Sequence, residues 1–197
     1  PVVSIEGGSA ETDKRRGAGV YSILTGVMDS FKDKGIFFGT SITVTTENLD
    51  LVAGCDFISV LNNTGCKIVF FVEYVPVEPE SRNLAPSDEQ RDELDRRLNT
   101  LREKFPGMLF LSFPGDERYM GGCLAAGRGF FHINADGSAE PCPFSPYSDV
   151  SLKDHTLLEA LDSDLFRKLE LSGVLSGEHT GACVLFEKED QVKELTM

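Results

Sequence analysis

The sequence predicts an α/β fold followed by a small α+β unit, and three observations lead to this prediction. Strand-like and helix-like patterns alternate three times in the first half, as in βα units with a parallel sheet. Glycines break the second half into short pieces, one of which has the pattern of a hairpin. The composition, 41% hydrophobic and 26% charged over 197 residues, is that of a globular chain and excludes a disordered or coiled-coil one.

The first βα unit begins with a short strand rich in β-branched residues. This strand covers residues 2–5 and ends at the glycine turn 6–8. We expect a polar loop over residues 9–19. Apolar residues then recur at three- and four-residue steps over residues 20–31, which predicts an amphipathic helix that Gly35 terminates.

Two further strand and helix pairs follow. Residues 36–45 have strand composition and precede a helix that ends near Leu61, and residues 67–76 form the next strand. Ser87 and Gln90 have the spacing of a capping box, which predicts the start of a third helix. Helical crossovers imply a parallel sheet with right-handed connections, and the apolar strands imply that both faces are covered. Such units occur in doubly wound sheets and in (β/α) barrels.

The second half is predicted to be a separate small domain. Residues 130–134 and 138–141 flank an Asp-Gly turn and predict a hairpin, and a short helix is expected over about residues 157–169. We place the two domains at residues 1–110 and 111–197.

The net charge and the apolar pattern of the chain limit which partners and which cellular location we expect. Thirty-two acidic and 19 basic side chains leave a net charge of −13, which disfavours nucleic acids and anionic membranes. The most apolar run, residues 68–72, is far shorter than the roughly 20 residues of a membrane span, and the residues after Pro1 do not have the cationic-then-apolar pattern of a signal peptide. We therefore expect a cytoplasmic protein without nucleic-acid or membrane partners. The chain begins with Pro1, so we also expect it to be a piece of a longer protein.

The five cysteines fall into two groups. Cys55 and Cys66 lie in apolar segments and are expected to be ordinary buried thiols. Cys123, Cys142 and Cys183 each lie in a loop rich in glycine or proline, where the backbone can approach an inorganic centre. Zinc would require a fourth ligand, whereas a cubane iron-sulfur cluster can be held by three cysteines. Their spacing alone does not distinguish a metal site from three unliganded thiols.

The sequence around these three cysteines favours the metal site. Cys123 leads into the predicted hairpin, Gly137 and Cys142 form a G-x-x-x-x-C pattern, and Cys183 closes the segment. This segment resembles the C-terminal cluster-binding extension, of the SPASM or Twitch type, of radical S-adenosylmethionine (SAM) enzymes. The resemblance implies one auxiliary [4Fe-4S] cluster held by the three cysteines, and it excludes a full SPASM domain with two clusters. His179 is a further candidate for a fourth ligand, whereas His132 is expected to be structural.

The first half resembles strands four to six of the partial barrel of the same family. Ser4 and Glu6-Gly7 are similar to its Ser-x-Asp-Gly strand motif, and residues 13–17 are similar to the Asp-x-x-Arg-Gly loop that follows. The resemblance therefore implies a partial (β/α) barrel of three βα units. It implies SAM contacts at the carboxyl ends of the strands, with Ser4 and Arg15 or Arg16 on the SAM carboxylate. The remaining implied contacts are Thr43, Asn48, Tyr74 and Val75.

The chain lacks the C-x-x-x-C-x-x-C motif that defines this family. The resemblance then implies that this chain is the C-terminal portion of a radical SAM oxidoreductase or maturase. The missing N-terminal part of the same polypeptide would be a partner of this chain. SAM and a second [4Fe-4S] cluster would belong to the intact enzyme only, and this chain would be inactive alone. A peptide or a small molecule would be the substrate, and the open sheet edge would allow self-association. The alternative is a non-catalytic scaffold or binding domain with zinc or free thiols.

Overall fold

The structure, a computed structural model, describes residues 1–177 and 183–196. The chain divides into two compact units, residues 1–115 and 116–197. Among the described residues, no helix is long and apolar enough to cross a membrane.

The first unit is a four-stranded parallel sheet in the order β1-β2-β3-β4. In chain order its elements are β1 (Val2–Ile5), α1 (Ser9–Arg16), α2 (Val20–Asp33), β2 (Gly39–Val44), α3 (Leu49–Val52), α4 (Cys55–Asn63), β3 (Ile68–Glu73), a 3-10 helix (Pro79–Leu84), α5 (Asp88–Lys104) and β4 (Leu109–Phe113). Sequential parallel pairing with helical connections is the arrangement of a barrel segment. The mixed α/β class and the parallel sheet are therefore confirmed.

The hydrophobic core lies on one face of this sheet. Ile5, Ile42 and Phe71 are paired in register across three strands and are all fully buried. On the other face, Ser41 and Phe70 pair in register and remain half-buried. The expectation that both faces are covered is thus wrong for the described residues. Serine and threonine alternate with apolar residues on β1 and β2, whereas β3 and β4 leave apolar residues such as Phe70 and Leu111 half-buried on this face. β1 and β4 each have one partner strand in the described part of the chain.

Several elements of the first unit differ from those expected. The polar segment after β1 is the helix α1, which has Glu11 in its first turn and basic residues in its last, as the helix dipole favours. The expected second helix is divided into α3 and α4 by Gly54, which is extended at φ −86° and ψ 143°. β4 was not expected, and it adds a fourth strand to the three βα units. The Ser87 capping box at the start of α5 is confirmed.

The second unit contains short elements around its own core. They are a 3-10 helix (Gly115–Met120), β5 (His132–Ile133), β6 (Ala139–Glu140), α6 (Leu157–Leu161), α7 (Asp164–Ser172), a 3-10 helix (Val174–Ser176), α8 (Val184–Glu187) and α9 (Glu189–Thr196). β5 and β6 form the expected antiparallel hairpin. The single expected helix is instead the pair α6 and α7, because Ser163 starts a new helix by accepting the Phe166 amide at 3.2 Å.

Candidate metal centre and cofactor pocket

Three cysteines from separate loops meet in the core of the second unit. Cys123 follows the 3-10 helix Gly115–Met120, Cys142 follows β6, and Cys183 precedes α8. The Cys142 thiol is hydrogen-bonded to the Cys183 sulfur, and Cys123 is close enough for its charge to act on Cys142. All three are free thiols. The structure therefore brings together the three residues for which the sequence predicts metal ligation.

Backbone packing fixes the Cys123 loop. The Cys123 amide donates to the Leu175 carbonyl at 2.8 Å, and the Cys123 carbonyl accepts from Arg128 at 2.7 Å. Gly122 has φ +106°, and a Cβ there would lie 2.3 Å from the Leu175 oxygen. Only glycine fits so close to the neighbouring backbone.

Each cysteine sulfur also accepts a hydrogen bond from a backbone amide two residues further along the chain. The donors are Ala125 for Cys123, Phe144 for Cys142 and Leu185, together with Phe186, for Cys183. These amides favour the thiolate form, because they donate to the charged sulfur. The same kind of hydrogen bond tunes cysteine sulfurs at iron-sulfur clusters.

Burial and mutual repulsion oppose the ionisation of the three thiols. Burial raises the pKa of Cys123 to about 12. The pKa of Cys142 is also raised, because its thiol donates to Cys183 and because it is buried. Accepting this hydrogen bond lowers the pKa of Cys183. Three thiolates would also repel one another here, so a positively charged centre between them would favour their ionisation.

Two observations test whether the site fits a metal group. The Ser145 hydroxyl, three residues after Cys142, is buried without a hydrogen-bond partner among the described residues, and such a group is typical of a site whose ligand is absent. No group of three or more His, Cys, Asp or Glu side chains in residues 1–177 and 183–196 is arranged to hold a single metal ion. Three thiolates are enough to hold a cubane through three of its iron atoms, whereas a structural zinc ion requires four ligands. The number of cysteines therefore fits a cluster better than it fits zinc.

The remaining cysteines and histidines lie elsewhere. Cys66 is buried in the core of the first unit, as expected, whereas Cys55 is half-buried with its sulfur 3.4 Å from Lys104 Nζ. His132 lies 3.9 Å from the Glu140 carboxylate on the hairpin. His179 lies outside the described residues.

A pocket of about 580 Å³ opens at the carboxyl ends of β1 and β2. Its lining residues are Glu6, Ala10, Glu11, Lys14, Arg15, Thr45, Glu47, Asn48 and Leu84. Arg15 and Asn48 were predicted to bind a cofactor. Ser4 on β1, Arg16, Thr43, Tyr74 and Val75 are not among the lining residues.

Glu6 is the electrostatic centre of this region. Its side chain is only 3% exposed, and its Oε1 lies 2.6 Å from Arg16 and 3.6 Å from Arg15 Nε. Its Oε2 is buried without a hydrogen-bond partner among the described residues. The arginines predicted to hold the SAM carboxylate are thus paired with Glu6, and the Arg15 guanidinium lies 5.8 Å above the Tyr74 ring.

Asn48 ties the ends of two strands together. Its amide nitrogen donates to the Glu6 and Thr43 carbonyls, both at 2.9 Å. Its oxygen accepts from the Thr45 amide at 2.8 Å and from the Thr45 hydroxyl at 3.1 Å. These four bonds use the full hydrogen-bonding capacity of the side chain. Asn48 therefore positions the pocket wall in this structure.

No family model matches the chain, and no curated protein matches it significantly. The fold is similar to that of anSMEcpe with bound AdoMet and the Cp18Cys peptide, with a TM-score of 0.62 and 14% identity over 99% of this chain and 66% of that one. It is also similar to SuiB of Streptococcus suis bound to S-adenosylmethionine, with a TM-score of 0.65 and 12% identity over 95% of this chain and 47% of that one. SuiB bound to the precursor peptide SuiA gives a TM-score of 0.60 at 14% identity.

At these identities the similarity establishes the fold alone. The chain spans between about half and two thirds of the length of these proteins.

Proposed function

We propose that this chain is part of a radical SAM oxidoreductase or maturase and that its second unit holds one auxiliary [4Fe-4S] cluster through Cys123, Cys142 and Cys183. The observation that carries the proposal is the meeting of these three cysteines, each with a backbone amide donating to its sulfur. When bound, such a cluster supplies a one-electron redox centre or an iron atom that anchors substrate.

The protein's part in this chemistry is to shape and insulate the centre. The loops hold the sulfurs in the core of the second unit, where Cys142 is 4% exposed and water is largely excluded. The backbone amides offset the cost of burying thiolates. Cys142 and Cys183 must move apart to bind different atoms of a cluster, because their sulfurs are now in hydrogen-bonding contact.

The pocket in the first unit supports a contribution to SAM binding. Lys14 and Arg15 line this pocket and could bind the carboxylate group of a ligand. The unpartnered Glu6 Oε2 lacks a hydrogen-bond donor, which a ligand ammonium group would supply. SAM carries both groups on its amino-acid end, so mixed charge in this pocket suits it. Arg15 remains within reach of such a ligand, because 44% of its side chain is exposed.

We further propose a peptide as the substrate class. Both anSMEcpe and SuiB have been solved with bound peptides, and their folds match nearly all of this chain. The whole enzyme would bring the remaining barrel strands and the C-x-x-x-C-x-x-C loop that this chain lacks.

Anaerobic reconstitution with iron and sulfide tests the cluster proposal. We expect about four iron atoms per chain and absorbance near roughly 400 nm. Cys142→Ala should lose most of this iron, whereas Cys66→Ala, in the other unit, should load as well as the unaltered protein. Binding of zinc instead of iron, or equal iron loading by Cys142→Ala, would overturn the proposal in favour of the scaffold alternative.

A further inference from the structure

A buried carboxylate accompanies the three cysteines. Glu117 lies in the 3-10 helix Gly115–Met120 and is the buried residue of that helix, with 9% of its surface exposed. Carboxylates are rarely buried to this degree, so the position of this one is set by the groups around it. No sequence pattern points to Glu117, because it is one of 32 acidic residues.

The chain folds back so that Glu117 meets the Cys123 loop. The Gly122 amide donates to the Glu117 carbonyl at 3.0 Å, and the Leu124 amide donates to Glu117 Oε1 at 3.2 Å. The carboxylate also lies within hydrogen-bonding reach of the Cys123 thiol. Backbone contacts on both sides of Cys123 therefore hold the carboxylate beside its sulfur.

The charge of the Glu117 carboxylate also reaches a second cysteine. Its negative charge acts on Cys183 as well as on Cys123. Cys183 in turn is hydrogen-bonded to Cys142. Four groups that carry negative charge when ionised are thus gathered in one buried place, and a cationic centre is the partner that such an arrangement favours.

Three cysteines leave one iron atom of a cubane without a protein ligand. A carboxylate oxygen is a competent iron ligand, as it is in non-haem iron sites. We propose that Glu117 is the fourth ligand of the cluster and binds the iron atom that the cysteines leave open. The proposal rests on the cluster assignment made above, and it makes the auxiliary cluster fully coordinated by protein in the absence of substrate.

Water binding to the reduced, reconstituted full chain in oxygen-17 water tests this assignment. A cluster whose fourth iron atom is bound by Glu117 should bind no water, whereas Glu117→Ala and the isosteric Glu117→Gln should expose one iron atom that binds it, detected by electron-nuclear double resonance of oxygen-17. Glu140→Gln is the matched control, since Glu140 is also buried and bonds to Asn134 at 2.6 Å. Its cluster should bind no water, as in the unaltered chain.

The midpoint potential gives a second readout that does not depend on activity. Loss of an anionic ligand should shift the potential of Glu117→Gln to a more positive value, and Glu140→Gln should shift it little. A water oxygen bound to the cluster of the unaltered protein, or its absence in both Glu117 variants, would overturn the role of Glu117 while leaving the cluster in place. Failure of the unaltered chain to form any cluster would overturn both proposals.

Discussion

The thiol of Cys142 donates a hydrogen bond to the sulfur of Cys183, although one follows β6 and the other precedes α8. Such contact across the unit requires the hairpin and the C-terminal helices to pack around one core. It also makes this pair the most vulnerable part of a site without its metal, because two thiols in contact need little motion to reach disulfide geometry.

The chain without cluster should therefore form one specific disulfide. Oxidised glutathione should convert the Cys142 and Cys183 thiols into a disulfide and release two molecules of reduced glutathione. Mass spectrometry of the digested protein should identify the linked peptides, and cluster loading should prevent the link. Preferential formation of a bond involving Cys66, which is fully buried in the other unit, would contradict the arrangement.

Ser145→Ala should stabilise the protein that lacks a cluster. The buried Ser145 hydroxyl has no partner among the described residues, and leaving such a group unpaired costs about 1 kcal/mol or more. Thermal unfolding of the cluster-free chain should show a higher midpoint. The control Ser163→Ala removes a helix cap at 3.2 Å and should lower stability by about 1 kcal/mol. A destabilising effect of both changes would mean that Ser145 has a partner in solution.

Arg16→Ala should destabilise the first unit more than Lys14→Ala. Arg16 lies 2.6 Å from the buried Glu6, so its loss leaves a buried carboxylate poorly paired and costs about 1 to 2 kcal/mol. Lys14 pairs with Glu47 in an exposed contact of 2.7 Å, worth about 0.5 kcal/mol or less. Urea unfolding monitored by circular dichroism measures the loss of unfolding free energy in both variants. Equal effects would show that the Glu6 pair is not formed in solution.

The isolated chain should not cleave SAM reductively. It has no C-x-x-x-C-x-x-C loop to hold the cluster that donates the electron. Incubation of the reconstituted chain with SAM and dithionite, followed by chromatography, should yield no 5′-deoxyadenosine above a protein-free control. Its formation at a rate that depends on the protein would contradict the assignment of this chemistry to a part of the enzyme outside this chain.

Local patterns predicted those elements whose stabilising contacts are themselves local. The Ser87 capping box marks the start of α5 because both of its partners lie within one turn. The helix α1 was missed because it has no apolar stripe and depends on charges at its ends. β4 was missed because residues 109–113 are few and lie between two prolines.

The candidate site was only partly predictable for a similar reason. The positions of the three cysteines follow from the resemblance of their loops to a known pattern. Glu117 and Ser145 have no such signal, because their importance depends on burial and on contacts made only in the folded chain. The saturated hydrogen bonding of Asn48 likewise depends on where two strands end.

Mössbauer spectroscopy of the chain reconstituted anaerobically with iron-57 tests the central claim most directly. We expect the spectrum of a [4Fe-4S] cluster to account for most of the bound iron, and we expect this component to disappear in Cys142→Ala. A spectrum of isolated ferrous or ferric ions, or one that is unchanged in Cys142→Ala, would contradict the cluster held by Cys123, Cys142 and Cys183.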